Sequence, residues 1–74
     1  MHTPVHDSLE HLVLINLLTH VVRLDFLAKP DLCLSDVEAF EFWEMRPLTC
    51  MAVLKTLCRE GFLVQTAEGL FRRP

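Results

Sequence analysis

The stretch that decides the fold is Pro47-Leu48-Thr49-Cys50-Met51-Ala52-Val53-Leu54-Lys55-Thr56-Leu57-Cys58-Arg59-Glu60-Gly61-Phe62-Leu63-Val64. Pro47 suits the first position of a helix, where its missing N–H costs nothing. Met51, Leu54 and Leu57, with Val53 and Cys58 beside them, recur at helical spacing and make one apolar stripe. Gly61 stands where a left-handed C-terminal cap is wanted. A helix is therefore expected from about Pro47 to Glu60. After it come Phe62-Leu63-Val64, then Gln65-Thr66-Ala67-Glu68-Gly69, then Leu70-Phe71-Arg72-Arg73. Two short apolar runs around a Gly-containing connection read as a β-hairpin.

Upstream, Ser35-Asp36-Val37-Glu38 has the S-x-x-E spacing of a capping box. It opens a short helix expected to end near Trp43, with Val37, Phe40 and Trp43 or Phe42 facing inward. Leu32-Cys33-Leu34 alternates over too few residues for more than an edge strand. Further back, Asp7-Ser8-Leu9-Glu10 has capping-box spacing too, so a first helix is expected from Asp7 to about Leu27, ahead of Pro30. Residues 1–6 read as a flexible tail. Asn16, Thr19, His20 and Arg23 fall on one polar strip of this helix. Leu12, Val13, Leu14, Ile15, Leu17, Leu18, Val21, Val22 and Leu24 cover much of the rest. One core needs an apolar arc of roughly 100°. This helix offers about twice that arc. Its second face is expected at a homodimer interface through Leu14, Leu18 and Val21.

Length and composition agree with one small domain over residues 1–74. The 74 residues are 51% apolar, with two glycines. A chain this short buries only about 60% of its unfolded surface, so some apolar surface is expected to meet another chain. The start MHTPVHDS lacks the basic region of a secretory signal. The most apolar stretch, Leu9 to Ala28, carries Glu10, His11, Asn16, His20, Arg23 and Asp25, which argues against a membrane span. Cys33, Cys50 and Cys58 are odd in number and share no C-x-x-C spacing, which fits a reducing compartment. A cytoplasmic protein is expected.

The net charge of −3 hides an asymmetry. Residues 1–45 hold two cations against eight acids, a balance of −6. Residues 46–74 hold Arg46, Lys55, Arg59, Arg72 and Arg73 against Glu60 and Glu68, a balance of +3. One basic side on an acidic chain suits a polyanion partner. No metal site is expected, because the four histidines and three cysteines form no tight ligand pairs. Cys50, near a helix start and four residues from Arg46, is the best candidate for a reactive thiol. No cofactor is expected. Nor is an enzyme, for want of a Gly-rich phosphate loop or a nucleophile–base spacing.

The order helix, short strand, helix, helix, two-stranded wing resembles the winged helix-turn-helix. Residues 48–64, followed by Glu68-Gly69-Leu70-Phe71, look like the third helix and wing of small bacterial transcriptional regulators of the IclR and MarR kind. The resemblance implies that the third helix enters the major groove of double-stranded DNA. The positions so placed are Leu48, Thr49, Met51, Ala52, Lys55, Thr56 and Arg59. DNA contacts are expected from Arg46, Thr49, Lys55, Thr56, Arg59, Arg72 and Arg73. Leu48, Met51 and Ala52 cannot hydrogen-bond base edges, so modest sequence specificity is implied. The alternative is a protein–protein interaction module on the same fold, a phage or mobile-element protein or an assembly subunit, that does not bind DNA.

Overall fold

A computed structural model describes the backbone over residues 4–74 and side chains from Glu10 onward. The chain runs through helix α1 (Pro4–Ala28), strand β1 (Cys33–Leu34), helices α2 (Asp36–Phe42) and α3 (Pro47–Arg59), and strands β2 (Val64–Gln65) and β3 (Phe71–Arg72). The strands form one antiparallel sheet in the order β1-β3-β2. The molecule is mostly helical, with a small sheet closing one end of the helical layer.

Local chemistry sets the element ends. Ser35 caps α2 in a reciprocal box: its hydroxyl accepts from the Glu38 N–H at 3.2 Å, and the Glu38 carboxylate accepts from the Ser35 N–H at 2.9 Å. Two of the orphan donors at this terminus are thereby satisfied. Pro47 opens α3 at its first position. Both α2 and α3 end in Schellman motifs, with a left-handed residue just beyond the last turn. At α3 that residue is Gly61, φ 80°. The Phe62 N–H bonds the Leu57 carbonyl at 3.0 Å, and the Gly61 N–H bonds that of Cys58 at 3.0 Å. At α2 it is Glu44, φ 50°, with Met45 N–H on Phe40 and Glu44 N–H on Glu41. No glycine relieves that turn.

The α1 helix starts at Pro4, three residues before the expected cap at Asp7. Proline is well placed in a first turn, and nothing after it interrupts the helix. The expected tail over residues 1–6 therefore overlaps α1 from Pro4 onward, and residues 1–3 lie outside the described residues.

Val22 and Phe26 of α1, Ala39 of α2, Cys50, Val53, Leu54 and Leu57 of α3, with Leu63 and Phe71, form the core. Phe71 lies between Leu34 and Gln65 in the strand register, so the hairpin and β1 close over one aromatic ring. The inward face of α2 differs from expectation. Ala39 is its buried residue, and Val37 and Phe42 face solvent. Phe40 and Trp43 pack half-buried at the edges. A methyl side chain lets two helix backbones approach closely, which periodicity alone does not reveal.

The expected polar strip on α1 divides. Asn16 and His20 are exposed, whereas Thr19 is buried. Its hydroxyl donates to the Ile15 carbonyl at 2.7 Å, so the buried hydroxyl is not left unpaired. Arg23 pairs with Glu60, the C-cap of α3, and lies 5.5 Å from the Phe62 ring centre. The packed face of α1 is Ile15, Leu18, Thr19, Val22 and Phe26. Trp43 ties α2 to α1: its indole N–H donates to Asp25 at 2.6 Å, and its ring lies 5.8 Å from that of Phe26.

Candidate nucleic-acid interface

The α3 helix buries Cys50, Val53, Leu54 and Leu57 and turns the opposite face outward. Leu48, Lys55 and Arg59 are exposed there, with Met51, Ala52 and Thr56 half-buried between them. The spacing 48, 52, 55, 59 keeps these residues on one side of the helix. Arg46 sits exposed at the N-cap, where no side chain caps the helix and the first turn holds no acid. The positive end of the helix dipole and the guanidinium of Arg46 thus act together at this end. Thr56 donates its hydroxyl to the Ala52 carbonyl at 2.8 Å and accepts from Arg59 at 3.3 Å. That contact steadies Arg59 over the helix surface while leaving it exposed. Thr49 is half-buried in the first turn.

The two hairpin arginines have different fates. Arg72 faces solvent, because Phe71 points into the core and neighbouring strand residues alternate sides. Arg73 is half-buried. It donates to the Phe62 carbonyl, and its guanidinium lies 3.9 Å from the Phe62 ring centre. Arg73, expected to touch phosphate, is thus engaged by an internal contact. The reason is that Phe62, eleven residues earlier in sequence, returns beside it when the hairpin closes. The exposed cations among the seven residues expected to touch DNA are Arg46, Lys55, Arg59 and Arg72. Asp36, Glu38, Glu41 and Glu44 are exposed along α2 and its turn. They oppose any polyanion approaching from that side.

The cysteines do not supply a reactive group on this face. Cys50 is fully buried. Burial pushes its thiol up to about 11, and the carboxylate of Asp36 adds to the shift. The thiolate that a redox sensor needs is suppressed there, which overturns the expectation that Cys50 is the most reactive thiol. Burial raises Cys58 as well, and Cys33 is exposed on β1. Among the described residues no group of three or more His, Cys, Asp or Glu could hold a metal ion.

Among the described residues the most exposed large apolar side chain is Leu48, at 88%. It stands in the first turn of α3, ahead of the buried residues Cys50, Val53, Leu54 and Leu57. No protein-family model matches the chain, and no curated protein and no solved structure matches it either.

Proposed function

We propose that this chain is a winged helix-turn-helix protein that binds double-stranded DNA through α3 and the β2–β3 hairpin, as a small transcriptional regulator without catalytic activity. The single observation that carries this is the outward face of α3. It presents Lys55 and Arg59, is flanked by Arg46, and carries no acid between Pro47 and Arg59. Element order and the β1-β3-β2 sheet support the winged-helix assignment. Arg72, exposed on the hairpin, supplies a second phosphate contact on this reading. Leu48, Met51 and Ala52 contribute at most apolar contact with thymine methyls, so phosphate contacts dominate and sequence discrimination is modest.

The test is a titration of labelled random-sequence duplex at low salt. Each neutralised phosphate contributes about 0.9 to the slope of log affinity against log salt. A dimer using three or four cations per chain gives a slope of about −5 to −7. Absence of binding at low salt removes this function.

A second reading rests on Leu48. A leucine so exposed beside Met51 and Ala52 suits an apolar partner surface better than a phosphate backbone. On that reading the domain is a protein–protein interaction module. Leu48→Ser then abolishes partner binding, while loss of Lys55 has little effect.

A further inference from the structure

The packed face of α1 leaves a second apolar face uncovered. Val13, Leu14, Leu17, Val21, Leu24 and Leu27 are each between 47% and 61% exposed. Within it, Leu14, Leu17, Val21, Leu24 and Ala28 alternate at spacings of three and four. All five are exposed. That is the a/d spacing of a coiled-coil seam, here opposite the face that packs on the domain's own core. Leu18, expected at an interface, instead packs half-buried against that core. The segment Glu10–Leu14 is exposed on every side, because the core touches α1 only from Ile15 onward. It projects from a molecule 46 Å long and about 20 Å across.

We infer that this seam is the docking surface for a second copy of the chain, with the two α1 helices antiparallel. Charge decides the direction. In a parallel, in-register pair, Glu10 meets Glu10 of the other copy, the next layer of the seam beyond Leu14. Antiparallel pairing is symmetric about residue 19. It sets Leu14 against Leu24 of the second copy, Leu17 against Val21, and Glu10 beside Ala28 and Lys29. Val13 then lies near Leu27 of the second copy on the flank. The projecting segment of each copy rests on the C-terminal half of the other's α1, and the opposed helix dipoles agree with this direction. At roughly 80–100 Å² for each half-exposed Leu or Val, the six side chains from both copies remove about 1,100 Å² from water. That lies close to the lower bound for a specific stable interface, so a micromolar dimer is expected.

The helix Glu10–Ala28 is also long and apolar enough to cross a membrane, with 17% of it buried in the domain. A second copy is the favoured occupant. Arg23 and Asp25 within the same helix are committed to Glu60 and Trp43, which ties the helix to its own domain.

The experiment is sedimentation equilibrium of the full chain from 1 to 100 µM in the absence of DNA, so its outcome is independent of the function proposed above. A dimer is expected by 100 µM. Leu17→Glu raises the dissociation constant at least about 100-fold, since an unpaired charge at the centre of an interface is costly. The variant keeps its circular dichroism, and well below the dimer dissociation constant it melts with the parent, because Leu17 is exposed in the monomer. Leu17→Asn gives the same result if the glutamate disturbs the helix. Orientation is read with Cys33→Ser chains carrying Leu14→Cys or Leu24→Cys. Mixing the two yields mostly the 14–24 cross-link. A chain that stays monomeric at 100 µM overturns the proposal. So does dominance of the 14–14 cross-link, which requires parallel helices. Monomeric chain that binds vesicles of neutral and anionic phospholipid overturns it in favour of a lipid occupant.

Discussion

Replacing Gly61 isolates one source of stability in this domain. Gly61 has φ 80°, and a Cβ built on it meets nothing within 4 Å. Any penalty therefore comes from the backbone conformation and not from a clash. The left-handed region costs an L-residue about 1–2 kcal/mol. A substituent on glycine also narrows the unfolded ensemble and returns about 0.4–1 kcal/mol. For Gly61→Ala the net loss is about 0.5–1 kcal/mol. For Gly61→Val, whose β-branch resists positive φ, it is about 2 kcal/mol. Asn tolerates this region, so Gly61→Asn costs only a few tenths, about 0.3 kcal/mol. A domain of this size loses about 4–8 °C of melting temperature per kcal/mol. The valine variant is therefore expected to melt about 10 °C lower and the asparagine variant within about 3 °C of the parent. Thermal unfolding followed by circular dichroism measures all three at equal protein concentration. A valine variant melting with the parent refutes the reasoning, because the Schellman turn would then not require φ > 0. An asparagine variant as damaged as valine refutes it too, because the loss would then be steric.

The α2 turn gives the converse: Glu44→Gly relieves φ 50° and raises stability by about 0.5–1 kcal/mol in the same melting assay. The two hairpin arginines separate by assay. Arg72→Ala weakens duplex binding equally on all sequences and leaves the melting temperature unchanged. Arg73→Ala lowers stability by about 1–2 kcal/mol through loss of the contacts to the Phe62 carbonyl and ring. Thiol labelling of the native protein at pH 8 modifies Cys33 promptly and Cys50 only on unfolding. The Cys50 thiol is raised when folded and ordinary when unfolded. Its contribution to stability is complete below pH 9 and declines as pH rises from about 9 to about 11, since the unfolded chain releases the proton first.

Where an element starts and stops is local chemistry, and so it can be read along the chain. Ser35 and Glu38 satisfy each other's backbone within one turn, Pro47 opens α3, and Gly61 closes it; each acts through bonds spanning at most five residues. The hairpin belongs to the same class, with Gly69 at φ 84° closing a turn from Thr66. Orientation is not local. The α1 helix is apolar almost all round, so its pattern permits several packed faces, and its packing against α3 and Trp43 selects Ile15, Thr19, Val22 and Phe26. Thr19 enters the core because its hydroxyl finds a carbonyl in its own helix, which makes it sterically a valine. Ala39 is buried and Val37 exposed because of which face α2 turns toward α3. The candidate site divides in the same way. The clustering of five cations after residue 45 is a property of the chain. That Lys55, Arg59 and Arg72 stay in water while Arg73 is consumed by Phe62 depends on long-range closure, because burial and pairing are set by whatever segment the fold returns to each side chain.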